Sequence, residues 1–181
     1  MSVLDYAKPF NIMVGYWAGV ANIYGPEGVY AMSTKSHVAV YWRNNPRGSE
    51  EEYELLHFRE SAEDFQEREI SEAWDPALVA FVGVLPLEYD LYVTNRYCRF
   101  ESNALELTGR ATSPDVYQFH IKKNQNGHQF YNSHHFPNPN EWHIMGSIAG
   151  TDGKIGVAVV QTFRRIYYEA RAEHRRTLRL A

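Results

Sequence analysis

An all-β fold, a single antiparallel up-and-down barrel of about eight to ten strands, is what this sequence predicts. Three observations predict it. Most of the chain alternates apolar with polar residues at period two, in long runs that end at clusters of Gly, Pro, Asn or Asp. Aromatics make up 14% of the residues, with 13 Tyr, 9 Phe and 4 Trp, and Tyr and Trp favour strands and line wet pockets. No internal repeat or low-complexity stretch interrupts the pattern. Closing the sheet on itself removes the hydrophobic edges an open one would leave exposed. The 181 residues fit one domain, taken as 1–181, and about 70% of the extended chain's surface can be buried without a disulfide or a metal.

The first strand is expected from Ile12 to Tyr24, with Gly15, Trp17, Gly19, Ala21 and Ile23 on one face, ending at Gly25-Pro26-Glu27-Gly28. The second runs from Tyr30 to Arg43, with Met32, Thr34, Ser36, Val38, Val40 and Trp42 on one side, and stops at Asn44-Asn45-Pro46-Arg47-Gly48. A third covers Glu51 to Arg59. Residues 60–86 include an acidic stretch that fits a strand, a short helix or a flap over a barrel mouth, and the sequence does not choose among them. Further strands follow at Leu87 to Thr94, Arg96 to Ser102 and Ala104 to Ala111.

Two hairpins carry turn signals strong enough to set register. Asn126-Gly127 suits a type I′ turn, in which both central residues need positive φ. A two-residue turn there places Phe119 opposite His134, Tyr117 opposite Phe136, Ile121 opposite Asn132, and His120 opposite Ser133. The aromatic side should face inward and take His134 with it. Asp152-Gly153 turns the second hairpin. Trp142, Ile144, Gly146 and Ile148 then share a face with Phe163, Gln161, Val159 and Val157, and the alternation continues to Arg165 and Tyr167. His143, Met145, Ser147 and Thr162 take the opposite face, and a slip of one residue would exchange the two. The stretch 168–181, with Arg171, Arg175, Arg176 and Arg179 among Glu169, Glu173 and His174, reads as a basic helix or tail, with a homodimer contact as one use for it.

With 18 Lys and Arg against 22 Asp and Glu, the net charge of −4 does not suit a nucleic-acid-binding domain. The apolar run from Ala77 to Leu87, broken by Pro86, is too short for a spanning helix, so no membrane partner is expected. Cys98 is the one cysteine, and MSVLDYAKPF does not read as a signal peptide. A cytoplasmic location is the expectation.

Gly15-Tyr16-Trp17 on the first strand, a meander of long strands and an Arg on the last one resemble the calycins, the superfamily of lipocalins and fatty-acid-binding-protein-like barrels. The resemblance implies that Trp17 packs under an arginine of the final strand and seals one end. Arg165-Ile166-Tyr167 is similar to the R-x-Y with which intracellular fatty-acid-binding proteins hold a carboxylate, which implies that Arg165 and Tyr167 grip an anion inside the barrel. The competing use is a plug, with Arg164 or Arg165 stacked on Trp17. Nitrobindin-like haem barrels also begin with G-x-W and bind haem through one histidine. That likeness points to His134, or to His143 if the faces of the second hairpin are reversed.

His120, His128, His134, His135 and His143 lie close together in sequence. Consecutive His134 and His135 point to opposite faces of a strand, and the segment has neither HExxH nor a cysteine pair, so no metal is expected. The barrel interior is the expected functional surface. It should offer Trp17, Tyr117, Phe119, His134, Trp142, Arg165 and Tyr167 to a small hydrophobic or aromatic ligand bearing an acidic group. Two alternatives stand beside a cofactor-free binding protein. One is a lyase, isomerase or cyclase with His134 and His57 as acid and base; the other is a haem barrel. No Ser-His-Asp order, phosphate loop or dinucleotide fingerprint selects a reaction.

Overall fold

The computed structural model describes residues 8–43, 54–62, 88–102, 105–124 and 127–166. The alternating runs become ten strands: β1 (Gly15–Tyr24), β2 (Tyr30–Arg43), β3 (Glu54–Ala62), β4 (Glu88–Thr94), β5 (Tyr97–Glu101), β6 (Leu105–Ala111), β7 (Val116–Asn124), β8 (Gln129–Asn138), β9 (Glu141–Ala149) and β10 (Ile155–Arg165). Each pairs antiparallel with its neighbours in sequence, and β1 closes on β10, so the sheet is a closed ten-stranded up-and-down barrel, as expected. No helix among the described residues is long and apolar enough to cross a membrane. Tyr167 and the basic stretch 168–181 lie outside the described residues, as do 63–87 of the acidic segment.

Period-two alternation sorts the walls. Trp17, Ala21 and Ile23 of β1 and Thr34, Ser36, Val38 and Val40 of β2 are buried, while Val20 between them is exposed. In the last hairpin Trp142 pairs with Phe163 and Ile148 with Val157, the register that Asp152-Gly153 sets. His143 and Met145 therefore take the outer face. The first hairpin corrects the sequence reading: Tyr117 pairs with His134, Phe119 with Asn132, and His120 with Tyr131. The expected pairs are displaced by two residues. The axis of the hairpin therefore falls one residue ahead of the Asn126-Gly127 centre, so that dipeptide does not set the register. A displacement of two preserves facing, so the aromatic side still points inward.

Two further corrections concern strand ends. β3 continues through residues 60–62, the start of the segment left open, and pairs Glu60 with Val38. At the N-terminus, Asn11–Met13 form a 3-10 turn and the strand begins only at Gly15. Phe10, fully buried, enters that turn at φ 69°. A turn of this kind leaves carbonyls without partners, and here side chains take them. The Trp17 indole N–H donates to the Met13 carbonyl at 2.8 Å. The Arg165 guanidinium donates to the carbonyls of Ile12 at 2.8 Å, Val14, and Pro139 at 2.8 Å. Its carbon lies 4.2 Å from the Trp17 ring centre.

Arg165 is thus the plug of the closed end. Gly15 makes room for it: at φ 147° only glycine is unstrained, and a Cβ there would overlap the guanidinium. Arg165→Met should cost about 2 to 4 kcal/mol, because it strips donors from several carbonyls at once. Arg164→Met, at a site 81% exposed beside Glu141, should stay within about 0.5 kcal/mol. Denaturant unfolding of both variants checks this, and equal losses would remove the plug from the account.

Candidate ligand site in the barrel interior

Aromatic side chains build the inner wall upward from the plug. Trp17 meets Trp142 and Phe136 edge-on, with ring centres 5.4 and 5.8 Å apart, and Trp142 packs on Phe163 at 5.4 Å. Tyr117 lies beneath Phe10, donates its hydroxyl proton to the Pro114 carbonyl at 3.0 Å and accepts from the Phe10 N–H at 3.4 Å. Among the residues expected to touch ligand, Trp17, Tyr117 and Arg165 therefore have their polar atoms engaged by backbone. They form the floor.

One layer above, the accounting changes. His134 is 7% exposed, its ring 4.5 Å from Phe119 and 5.3 Å from Trp142. Among the described residues neither of its ring nitrogens has a hydrogen-bond partner, and the Trp142 Nε1 and the Asn132 Oδ1 have none either. Burial alone pulls the His134 pKa down to about 3, so the imidazole is neutral and offers one donor and one acceptor. Two glycines thin the wall here. Gly109 lies under the Phe119 ring, which a Cβ would meet at 2.5 Å. Gly146, paired with Asn132, differs: a Cβ there would sit in ordinary contact with Asn132, the Tyr131 carbonyl and Phe130 at 3.6 to 3.7 Å, so a side chain is accommodated beside Asn132 without a clash.

The sequence reading missed a third layer. Glu60 points inward in phase with Leu56 and Phe58 and accepts a hydrogen bond from the Ser36 hydroxyl at 3.0 Å. Gln161 also hydrogen-bonds it, and burial raises its pKa. Tyr89, stacked on Phe58 at 5.1 Å, faces the same space and is raised by burial and by Glu60, while burial takes Cys98 up to about 12. Above this belt a smaller aliphatic cluster of Ile23, Ile121, Ile148 and Val157 fills the barrel. The signal for Glu60 was available: its parity matches Leu56 and Phe58, but it stood at the edge of the ambiguous acidic run.

His57 lies on the other side of the wall. It is 1% exposed yet outward, held by Asp90 at 2.7 Å, Glu88 at 3.1 Å and Arg43 at 3.2 Å, with Tyr41 against its ring at 4.8 Å. It shares no space with His134, so the two do not form the acid–base pair considered from sequence. Among the described residues no group of three or more His, Cys, Asp and Glu is arranged to hold a metal ion. On the outer face β4 to β9 bend into an open groove of about 1130 Å³ lined by outward Tyr92, His120 and Tyr131, and reached through the wall by Phe119, Asn132 and Gly146. Its polar groups pair with one another, Arg110 with Gln118 at 3.2 Å and Thr108 with His120 at 3.3 Å. The unmet hydrogen-bonding capacity of His134, Trp142 and Asn132 lies inside.

No protein-family model and no curated protein matches the sequence. Solved structures do match in fold. An S-type phycobiliprotein lyase from Guillardia theta aligns at a TM-score of 0.63 and 11% identity over 88% of this chain and 91% of its own. A protein of unknown function from the DUF3598 family of Nostoc punctiforme aligns at 0.60 and 11% over 86% of this chain, which spans about half (48%) of that one. Rv2717c from M. tuberculosis aligns at 0.50 and 7% over 86% and 94%. At such identities the likeness is one of fold.

His134 makes stability depend on pH. Its folded pKa lies below the ordinary value, so protonation favours the unfolded chain, and the contribution present above about pH 6.5 is lost as pH falls towards 3. The full span is on the order of 4 kcal/mol. His134→Leu should flatten this part of the stability profile measured by urea unfolding; parallel curves for the two proteins would mean that the imidazole is not buried as described.

Proposed function

We propose that the protein binds a small aromatic or hydrophobic molecule inside the barrel, against the wall formed by Phe119, Asn132, His134 and Trp142. The observation that carries this reading is His134, buried among aromatic rings with neither nitrogen partnered by any described residue. A buried polar group left in that state costs about 1 to 3 kcal/mol, which a ligand of matching polarity recovers. The Trp142 N–H donates, the Asn132 oxygen accepts, and the neutral imidazole does one of each. The buried end of the ligand is therefore neutral and carries both a hydrogen-bond acceptor and a donor, set in an aromatic body.

An acidic group was the sequence-based expectation, and it rested on Arg165. That guanidinium is committed to Ile12, Val14 and Pro139 and stacked on Trp17, so the carboxylate clamp is withdrawn. A phycobiliprotein lyase among the fold neighbours supports, on fold alone, a barrel that hosts a bound group. Haem is the second occupant the same wall would suit, since His134 supplies the unpaired nitrogen that an iron needs and apolar rings surround it.

Titration with the neutral fluorophore N-phenyl-1-naphthylamine, read by quenching of the core tryptophans, tests the site. Gly146→Leu should set a branched side chain against Asn132 and Phe130 on the inner wall and weaken the probe at least tenfold, and Asn132→Leu should weaken it several-fold. Tyr131→Ala, in the outer groove, should change nothing. If Tyr131→Ala abolished binding while Gly146→Leu did not, the groove rather than the interior would be the site. A Soret band at stoichiometric hemin, lost in His134→Leu, would make haem the occupant.

A further inference from the structure

The carboxyl of Glu60 is oddly placed. It stands on the inner wall between β2 and β4, and its partners, Ser36 from β2 and Gln161 from β10, are both neutral. The groups facing it from the packed strands are Ser36, Gln161 and Tyr89, and no cation among the described residues acts on it. Small residues create this geometry. Gly19 and Ala21 of β1, paired with Ser36 and Thr34 on one side and with Phe163 and Gln161 on the other, leave the Gln161 amide free to reach across to Glu60. A Cβ at Gly19 would run into the Thr162 carbonyl and the Phe163 ring.

An amide at position 60 would satisfy the same neutral partners without the desolvation penalty of an ionisable acid. A carboxyl kept where an amide is cheaper, and set among Ser36, Gln161 and Tyr89, is a recognition group whose counterpart no described residue supplies. Ser36 and Gln161 leave lone pairs unused, and these accept an N–H donor; when the donor is a cation the hydrogen bond is charge-assisted.

We propose that Glu60, with Ser36 and Gln161, anchors a basic, N–H-bearing group of the molecule held inside the barrel. This rests on the interior binding reading and narrows it. The ligand is an aromatic body with a neutral donor–acceptor edge towards His134 and a protonated nitrogen towards Glu60. Binding the cation draws the proton off Glu60, so one proton is released to solvent wherever the acid is protonated beforehand.

Three fluorophores separate the possibilities: cationic auramine O, neutral N-phenyl-1-naphthylamine and its anionic relative 1-anilinonaphthalene-8-sulfonate. Glu60→Gln should raise the Kd of auramine O at least tenfold and leave the other two within twofold. Auramine O affinity in the parent protein should climb as pH rises above the ordinary carboxylate range, and this climb should vanish in Glu60→Gln. Near-UV circular dichroism checks the fold of the variant. If auramine O binds both proteins equally, while Gly146→Leu still expels the neutral probe, the Glu60 anchor is wrong and the interior site survives. If Gly146→Leu expels no probe, the interior reading itself fails.

Discussion

The contact between Arg165 and the turn ahead of β1 is the constraint on which this barrel is built. A cylinder of strands has two open ends, and an end that is to be dry must be closed by something that leaves no backbone group unpaired. Here the closing element is a single 3-10 turn whose carbonyls at Ile12 and Val14 are met by one guanidinium, and whose Met13 carbonyl is met by the Trp17 indole. Because Arg165 sits at the last residue of β10 and Trp17 near the first of β1, paired directly with each other, the plug also holds the seam where the sheet closes. The aromatic floor of Trp17, Trp142, Phe136 and Phe163 can be fully buried because that end is sealed.

This constraint decides what the interior can do. With Arg165 taken up by closure, no cation among the described residues faces the interior to recognise an acid, and His134 stays neutral through burial among Phe119 and Trp142. The remaining interior chemistry is therefore that of neutral hydrogen bonding and of one acid. Glu60, Ser36, Gln161 and Asn132 occupy the level between the aromatic floor and the aliphatic cluster of Ile23, Ile121, Ile148 and Val157. Polarity in the middle of a barrel with apolar ends is costly to maintain, since each group must be satisfied locally. Glu60 is satisfied by neutral neighbours, and His134 is not satisfied at all.

Most of the fold was legible because strand alternation is a local signal. β2 was read to its exact ends, and the inner face of β9 and β10 followed from Asp152-Gly153. What failed was non-local. The β7–β8 pairing lies two residues from the register centred on Asn126-Gly127, and because such a displacement keeps Tyr117, Phe119 and His134 facing inward, the hydrophobic pattern could not choose between the two registers. Ile12 and Met13 of the 3-10 turn were read as the start of the first strand because no turn signal separates them from Gly15; only the distant Arg165 makes the carbonyls of that turn worth exposing to it. In the site, facing was readable and satisfaction was not. His134 could be placed inward by parity, whereas its lack of partners depends on what Phe119, Ile144 and Trp142 fail to offer.

His57 shows the same limit from the opposite direction. Its neighbours Leu56 and Phe58 are the more apolar pair, so parity places it outward, and an outward histidine would ordinarily be solvated. Instead the outer face covers it with Asp90, Glu88, Arg43 and Tyr41, and it is as buried as the core. Burial and inwardness are separate properties in a barrel whose outer side chains are long. The two buried histidines therefore call for opposite accounts: His57 is enclosed by charged and aromatic partners that use both of its nitrogens, and it contributes to the wall. His134 is enclosed by rings that use neither, and the hydrogen-bonding capacity left over there is what sets the interior apart as the place where a second molecule belongs.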